Sequence, residues 1–364
     1  MYFHSDLRKK LDCFMKKIIT VAHSTKDWPR KSEGDSIELK DGRIFLAYME
    51  FSGDGSDLAR TRIVGMESPD GGISWHNHRV ITETVNGDLN VYSPNLLRAK
   101  DGGILLIFMR QHSATPPSIT LYVWKSTDEC RSFTPISTFG ERKDYSLCNA
   151  VVKRLSSGRI LLPVSPTDNP EEHAYKRRGC GAVLYSDDDG LTWKEADNRL
   201  YLPMRGVMEP HVEEAKDGRI LMIMRNQLGS IFMSESEDDG IKWSKPQTTG
   251  LRTPESCPEL TRLPSTGDLL VIWNNSPYDP AFASHYGKRS PLTSAISLDC
   301  GRTWRNVKDI EDDPLRAFSN PGCRFTSKGK AVINYWTCEY LSNWCMQDII
   351  DLRIALIDEN WFTE

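Results

Sequence analysis

The sequence lacks an excess of positive charge, a long apolar run and a paired-cysteine motif. Its 46 Lys and Arg residues face 50 Asp and Glu residues, a formal net charge of -4 at pH 7, so no general positive field attracts nucleic acid or an anionic membrane. No stretch of about 18 apolar residues occurs, and the basic N-terminal segment lacks the continuous apolar core of a signal peptide. We therefore expect a cytoplasmic protein with neither a nucleic-acid nor a membrane partner.

The cysteine pattern also excludes common metal and disulfide frameworks. The nine cysteines contain no Cys-x-x-Cys spacing and are odd in number, which favours free thiols in a reducing compartment. His112 and His211 show no spacing that demands a metal. We therefore expect no metal site, no disulfide framework and no cofactor.

A turn-forming octet, Ser-x-Asp-x-Gly-x-Thr-Trp in its fullest form, occurs five times. Asp and Ser side chains suit a tight hairpin because they bond to nearby backbone groups, Gly suits a positive φ, and Trp suits packing between sheets. In the second copy Cys130 replaces Gly and Phe133 replaces Trp, so we expect a distorted turn there. The copies are SPDGGISW from Ser68, STDECRSF from Ser126, SDDDGLTW from Ser186, SEDDGIKW from Ser236 and SLDCGRTW from Ser297.

A second unit, a glycine turn followed by an apolar strand, occurs six times at a similar spacing. Repeats of this length are typical of propeller blades. We therefore predict an all-β fold, a six-bladed β-propeller with four-stranded blades. The six copies are KDGRIFL, KDGGILL, SSGRILL, KDGRILM, STGDLLV and SKGKAVI, and their turn glycines are Gly42, Gly102, Gly158, Gly218, Gly267 and Gly329.

The two ends of the repeat region carry apolar segments that can close the ring. Ile18–Val21 precedes the first unit, and Leu352–Ile357 follows the sixth. An open first or last blade would expose strand edges, so we expect these segments to pair in a shared last blade. Residues 18–364 then form one domain, and residues 1–17 form an N-terminal extension with at best a short amphipathic helix.

The strand before each glycine turn is expected to line the central channel of the propeller. Buried polar groups there need hydrogen-bond partners or a ligand. Blades 1 and 4 oppose each other in a six-fold ring, so Glu33 and Glu209 are expected to face each other across the channel. The residues nine positions before the six glycines are Glu33, Ser93, Asn149, Glu209, Pro258 and Asn320.

The octets resemble the Asp boxes, or neuraminidase repeats, of the sialidase superfamily, and the resemblance extends over residues 18–364. It implies an exo-glycoside hydrolase that removes a terminal acidic sugar from a glycan. In that family three Arg bind the substrate carboxylate, a Glu activates a Tyr nucleophile, and an Asp is the acid/base. A neutral Tyr suits an anomeric carbon that bears a carboxylate, because a carboxylate nucleophile would be repelled.

Four elements of the family's site match this sequence. The unit VMEPHVEEAKDGRILMIMRNQ resembles the segment that supplies the Glu and an Arg, which are Glu209 and Arg225 here. Arg289, eight residues before the fifth octet, matches the next triad Arg. Asp57, eleven residues before the first octet, matches the acid/base residue, and Asp54 is its competitor.

Two elements of the family's site are displaced or missing. The first triad Arg is expected where Ser32 stands, and the nearest substitutes are Arg30 and Lys31. The Tyr nucleophile is expected near Asn320, where the nearest aromatic residue is Phe318. Candidate replacements elsewhere in the chain are Tyr335, Tyr286 and Tyr92.

Three functions therefore remain open, and each has a glycan or oligosaccharide as its partner. The first is the sialidase-like hydrolase. The second is a glycosidase of other specificity that pairs Glu33 with Glu209 or Asp57 in a two-carboxylate mechanism, and the third is a non-catalytic glycan-binding propeller. Further polar residues expected to contact the substrate are Asp35, Tyr92, Arg110, Asn149 and Asn320.

Overall fold

The structure, a computed structural model, describes residues 15–172, 176–282, 285–341, 344–345 and 349–364. Within these ranges the chain forms 25 strands and one short helix. Residues 1–14 of the expected N-terminal extension lie outside the described residues. Lys16 and Lys17 belong to a strand of the last blade, Lys16–Ala22, so the expected boundary after residue 17 does not match the structure, while the separate status of residues 1–14 stays a prediction.

The strands form six antiparallel sheets, one for each predicted blade. Blade 1 contains β2 (Arg30–Glu38), β3 (Ile44–Phe51), β4 (Thr61–Ser68) and β5 (His76–Glu83). Blade 2 contains β6 (Asn90–Arg98), β7 (Ile104–Ala114), β8 (Pro117–Ser126) and β9 (Thr134–Lys143). Blade 3 contains β10 (Lys153–Arg154), β11 (Ile160–Val164), β12 (Ala182–Ser186) and β13 (Lys194–Glu195).

The next two blades repeat the same meander. Blade 4 contains β14 (Met208–Glu214), β15 (Ile220–Arg225), β16 (Ser230–Ser236) and β17 (Gln247–Arg252). Blade 5 contains β18 (Glu259–Arg262), β19 (Leu269–Asn274), β20 (Leu292–Ser297) and β21 (Arg305–Glu311). The predicted six-bladed propeller with four-stranded blades is confirmed.

Blade 6 closes the ring with strands from both ends of the repeat region. It contains β22 (Arg316–Phe325), β23 (Lys330–Leu341), β25 (Asp351–Asp358) and β1 (Lys16–Ala22), while β24 (Trp344–Cys345) pairs with β23 outside this path. Ile19 of β1 is opposite Ile354 of β25 in an antiparallel pair, as the closure argument predicts. The helix α1 (Glu359–Thr363) follows β25 and buries Trp361 and Phe362.

The core lies between the blades because the second strand of each sheet is apolar on both faces. All residues of β3, β11, β15 and β19 are buried. This burial follows from the glycine-turn units of the sequence, whose turns lead directly into these strands. The first strand of each sheet is the innermost one, since β2 contacts both β6 and β22, and β18 contacts both β14 and β22.

The octets form the turns between the third and fourth strands of blades 1 to 5. In the third copy, Asp188 accepts hydrogen bonds from the backbone N and the hydroxyl of Thr192, at 2.8 and 2.5 Å. The indole N–H of Trp193 donates to the carbonyl of Gly190 at 3.1 Å. The Trp193 ring stacks on Phe139 of the preceding blade with 4.6 Å between centroids. The octet thus shapes a turn and joins neighbouring blades.

The second octet keeps its turn despite lacking glycine. Cys130 adopts φ 65°, and its backbone N donates to the hydroxyl of Ser126 at 2.8 Å. The backbone N of Ser132 donates to Asp128 at 2.9 Å, as in the other copies. The expected distortion is therefore wrong, because Cys130 takes the left-handed conformation itself, which is unfavourable by about 1 kcal/mol or more for a non-glycine residue.

Two observations bear on the expectations about thiols and membranes. Cys338 is disulfide-bonded, so the expectation of free thiols is wrong at this residue. Six other cysteines are free: Cys130, Cys148, Cys180, Cys257, Cys300 and Cys323. No helix in the described part of the chain is long and apolar enough to span a membrane.

Candidate functional site

The innermost strands of four blades carry a β-bulge near the channel mouth opposite the glycine turns. Bulges of this kind re-aim a side chain and are frequent beside functional sites. Each bulge contains a residue in the left-handed region, which L-residues adopt only under local constraint. These residues are Glu33 (φ 40°), Ser93 (φ 58°), Glu209 (φ 41°) and Asn320 (φ 50°).

Arg30 holds two carboxylates of the site together. Its guanidinium donates to Glu33 at 2.7 Å and to Asp57 at 2.7 Å. Arg30 and Glu33 are both buried, whereas the Asp57 side chain is 79% exposed at the channel mouth. Of the two substitutes for the first triad Arg named from the sequence, Arg30 contacts Glu33 and Asp57, whereas Lys31 pairs with Glu50 at 2.6 Å.

The β3–β4 loop that carries Asp57 is fixed through its backbone. The Tyr92 hydroxyl donates to the carbonyl of Asp57 at 2.5 Å, and the Asn90 side-chain amide donates to the same carbonyl at 3.0 Å. Tyr92 also packs edge-on against Phe51, with 5.5 Å between ring centroids. Asp54 lies in the same loop but caps the backbone N of Ser56 at 3.0 Å. Asp54 is thus occupied in a turn, while Asp57 reaches Arg30.

Arg225, at the end of β15, is the centre of a second cluster. It donates to Glu209 at 2.9 Å and to Glu255 at 2.9 Å. Glu255 is buried and also accepts from Arg205 at 2.6 Å and from the Gln227 amide at 2.7 Å. Glu255 thereby orients two arginines, which neither the repeat nor the family resemblance indicated.

Arg289, just before β20, is buried beside this cluster but is bound differently. One guanidinium nitrogen donates to the backbone carbonyl of Glu255 at 3.4 Å, and the guanidinium lies over the Trp336 ring. No carboxylate of the described residues forms an ion pair with Arg289, and its Nε has no hydrogen-bond partner among them. Burial and the neighbouring Arg225 lower the pKa of Arg289 to about 10.

The two clusters belong to one site. Asp57, from blade 1, interacts electrostatically with Arg30 and also with Arg225 and Arg289, from blades 4 and 5. His285 lies among the same arginines. Its pKa is held well below 6.5, first by burial and then by the positive charges of Arg289 and Arg225. The mouth of the channel therefore collects carboxylates and arginines from residues far apart in the sequence.

The carboxylates of the site differ in their affinity for a proton. Burial raises the pKa of Glu33 above 4.5, although Arg30 opposes this effect. Burial would raise the pKa of Asp57 as well, but Arg30 outweighs it and lowers that pKa below 3.8. Arg225 likewise outweighs burial at Glu209 and lowers its pKa. Because Asp57 is mostly exposed, solvent reduces the size of its shift.

Three residues expected to contact substrate have other partners. Asp35 is fully buried and pairs with Arg324 at 2.8 Å, because the bulge before it turns it away from the mouth. The Asn149 amide donates to the Gly34 carbonyl at 2.8 Å and crosslinks blades 3 and 1. Arg110 pairs with Asp88 at 2.5 Å between blades 1 and 2. The structure therefore gives Asp35, Asn149 and Arg110 partners within the protein, where the sequence analysis expected them to contact the substrate.

No tyrosine stands at residue 320, near which the resemblance implies the nucleophile. Asn320 occupies the bulge, and its side-chain oxygen accepts from the Trp336 indole at 3.0 Å. Tyr335 is fully buried and donates to Glu311 at 2.9 Å. Burial, and then Asp57, raise the pKa of Tyr92 well above 10, so its hydroxyl stays protonated. Tyr286 stacks on Tyr278, with 5.5 Å between centroids.

One candidate metal cluster is found among the described residues, in or next to the innermost strands. Cys148, His211 and Cys257 come from three blades, and their ligand atoms lie within 4.8 Å of one another. A separate cavity of about 500 Å³ opens at the glycine-turn end of the channel. Its lining includes the charged residues Lys153 and Arg324. None of the residues that the resemblance implies lines that cavity.

The sheets and the octet turns define a six-bladed β-propeller. Residues 93–333 match the model of the BNR repeat-like domain. That match covers more than half of the chain, and the chain therefore belongs to the BNR repeat-like domain family. No curated protein matches the sequence significantly.

Several solved structures share the fold. A protein of unknown function from Dyadobacter fermentans is 19% identical, with 93% of this chain and 99% of that chain covered and a TM-score of 0.69. The NanB sialidase from Streptococcus pneumoniae is 12% identical, with 95% and 71% covered and a TM-score of 0.74. The leech intramolecular trans-sialidase is 13% identical, with 95% and 71% covered and a TM-score of 0.73. At such identities the likeness concerns the fold alone.

Proposed function

We propose that the protein is a sialidase-like exo-glycoside hydrolase that removes a terminal acidic sugar from a glycan. The observation that carries this proposal is the state of Arg289. It is a buried cation beside Arg225, and no carboxylate among the described residues is paired with it. A buried charge is unfavourable unless it is paired. A substrate carboxylate between Arg225 and Arg289 would supply the missing partner.

The charge of Arg289, unpaired among the described residues, favours an anionic ligand over a neutral one. Arg225 already has Glu209 and Glu255 as partners, so its fixed orientation is available to a ligand without rearrangement. Arg–carboxylate contacts are strong because both groups are charged and their geometries match. His285, whose pKa is lowered by burial and by these arginines, adds no positive charge to the site near neutral pH.

The mechanism proposed here does without a Tyr nucleophile. Water attacks the anomeric carbon, and Glu209, which stands at the position of the family's activating Glu, accepts its proton. The bond between the anomeric carbon and the leaving oxygen breaks as that oxygen receives a proton. A single displacement of this kind inverts the anomeric configuration.

The proton donor is assigned from the environments of the two carboxylates that share Arg30. The resemblance implies Asp57, but Arg30 lowers its pKa and keeps it ionised. Burial raises the pKa of Glu33, so Glu33 keeps its proton to a higher pH. Opposed shifts of this kind separate acid from base in glycosidases. We therefore assign Glu33 as the general acid and Asp57 as the group that positions Arg30.

A panel of aryl glycosides tests the proposal. It contains the aryl glycosides of sialic acid and of hexuronic acids, with the matching neutral sugars. Hydrolysis of an acidic member supports the proposed function, and NMR of the first product identifies the anomer. Hydrolysis of neutral members alone favours the two-carboxylate glycosidase of other specificity. Glu33 and Asp57, which both bind Arg30, would be the carboxylate pair of that enzyme. Binding of glycans without hydrolysis of any member favours the non-catalytic propeller.

A further inference from the structure

Three side chains that commonly bind metals converge in the channel from three different blades. Cys148 precedes β10, His211 lies in β14, and Cys257 precedes β18. All three are buried. The Sγ atoms of Cys148 and Cys257 are 3.6 Å apart, and Cys257 Sγ is 3.4 Å from His211 Nε2. The backbone of the propeller therefore brings together two thiols and one imidazole nitrogen.

These distances match the edges of a tetrahedral metal site. Zinc binds sulfur at about 2.3 Å and imidazole nitrogen at about 2.0–2.1 Å, so neighbouring ligand atoms are roughly 3.5–3.8 Å apart. The separations of 3.6 and 3.4 Å are within about 0.2 Å of those values. Two of the three ligand pairs therefore have the spacing of a zinc site, and the third pair, Cys148 and His211, has its ligand atoms within 4.8 Å of each other.

The other ring nitrogen of His211 faces a carboxylate, as in many metal sites. His211 Nδ1 lies 3.0 Å from Glu259 Oε2, and both residues are completely buried. This is an ion-pair distance, and Glu259 has few other polar contacts among the described residues. Lys153, 3.6 Å away, is the cation that pairs with Glu259. A buried carboxylate with so few bonds is consistent with a nearby positive ion.

We propose that Cys148, His211 and Cys257 bind one zinc ion, with Glu259 orienting His211 from behind. Binding would release the two thiol protons to solvent and use neutral imidazole. Three protein ligands leave one position for water or a further oxygen ligand. Glu209, a carboxylate of the candidate site, interacts with Cys257. This inference does not depend on the proposed glycosidase activity.

A bound ion would also connect blades 3, 4 and 5 at the centre of the ring. Metal binding to a site that exists only in the folded chain adds to folding stability. We therefore expect the zinc-loaded protein to unfold at a higher temperature than the same protein after treatment with a chelator.

Metal content of the full chain, purified under reducing conditions and supplied with zinc, tests the proposal. We expect one zinc per chain in the wild type and in Cys180→Ser, a buried free cysteine outside the cluster, and none in the double variant Cys148→Ser/Cys257→Ser. Wild-type protein without stoichiometric zinc would overturn the proposal. Zinc retained by the double variant, or a Cys148–Cys257 disulfide in the reduced wild-type protein, would overturn it as well.

A second measurement covers the case in which the double variant does not fold. Cobalt added to the reduced, zinc-free wild type should give a thiolate-to-cobalt charge-transfer band, and absence of that band contradicts the proposal. Glu259→Gln should weaken cobalt binding by about 10- to 100-fold while circular dichroism shows a folded chain. Glu213→Gln, which removes the other carboxylate partner of Lys153, should not. Equal affinity in both variants would refute the positioning role of Glu259.

Discussion

The guanidinium carbon of Arg289 lies 5.5 Å from the centroid of the Trp336 ring. This contact orients the cation but leaves its charge free for a ligand. We expect Arg289→Met to lower kcat/KM for an acidic aryl glycoside by about 10- to 150-fold, the loss of one charge-assisted contact. Arg302→Met, at an exposed residue, is the matched control. Equal effects of the two substitutions would mean that Arg289 does not contact the substrate.

Leaving-group dependence distinguishes the two candidate proton donors. Glu33→Gln should lower the rate on substrates with poor leaving groups by about 10²- to 10⁴-fold and largely spare activated aryl glycosides, whose oxygen departs without a proton. Asp57→Asn should affect both substrate types alike, because Asp57 acts through Arg30. The reverse pattern would assign the acid to Asp57, as the family resemblance implies.

The pH profile gives an independent test of Glu33. Its pKa is raised above 4.5 by burial, so the protonated donor persists to a higher pH than an ordinary Glu would. We expect kcat/KM to fall as pH rises through this raised pKa, and Glu33→Gln to remove that descending limb from its residual activity. The free energy of unfolding changes with pH in the same direction as the activity. The folded state binds this proton more tightly than the unfolded state does, so the stabilisation from Glu33 is complete at low pH and is lost as pH rises through the raised pKa. A limb that persists in Glu33→Gln would point to another group.

The octet turns predict a different response to acid. Hydrogen bonds from Thr192 lower the pKa of Asp188 to about 2. A lowered folded-state pKa contributes stability above the unfolded value of 3.8, and this is lost as pH falls towards 2. Asp188→Asn should reduce the free energy of unfolding at neutral pH by about 1 kcal/mol and reduce its dependence on acid. Urea unfolding of this variant against Asp197→Asn, an exposed aspartate in the same blade, measures the difference. Indistinguishable curves would show that the turn does not need the carboxylate.

The repeats made the fold predictable. The glycine turn occurs in all six blades and the octet in five, so the number of blades follows from local signals that recur along the chain. Ring closure follows from the apolar segments at the two ends of the repeat region, where Ile19 pairs with Ile354 and covers strand edges that would otherwise be exposed. The prediction of a distorted turn at Cys130 was wrong because the second octet keeps the hydrogen bonds of the other copies, and these bonds hold the turn without a glycine.

Residues of the candidate site were indicated either by a repeated position or by the family resemblance, which named Asp57, Arg225 and Arg289. Glu33 and Glu209 occupy the same position in their repeat units, and each lies in the bulge of the innermost strand of its own blade. Asp35 was misjudged because the bulge changes which face of β2 it occupies, and its partner Arg324 comes from another blade. Glu255 and His285 lie in connections outside the repeat. The cluster of Cys148, His211 and Cys257 is assembled across three blades, so no spacing in the sequence could indicate it.

The most direct test of the central claim compares one substrate in two charge states. The aryl glycoside of an acidic sugar and its methyl ester differ only in the carboxylate that Arg225 and Arg289 are proposed to bind. We expect the wild-type protein to hydrolyse the acid with a kcat/KM at least about 10-fold above that of the ester, the value of one charge-assisted contact. Equal hydrolysis of acid and ester, or faster hydrolysis of the ester, would contradict the proposed recognition of an acidic sugar.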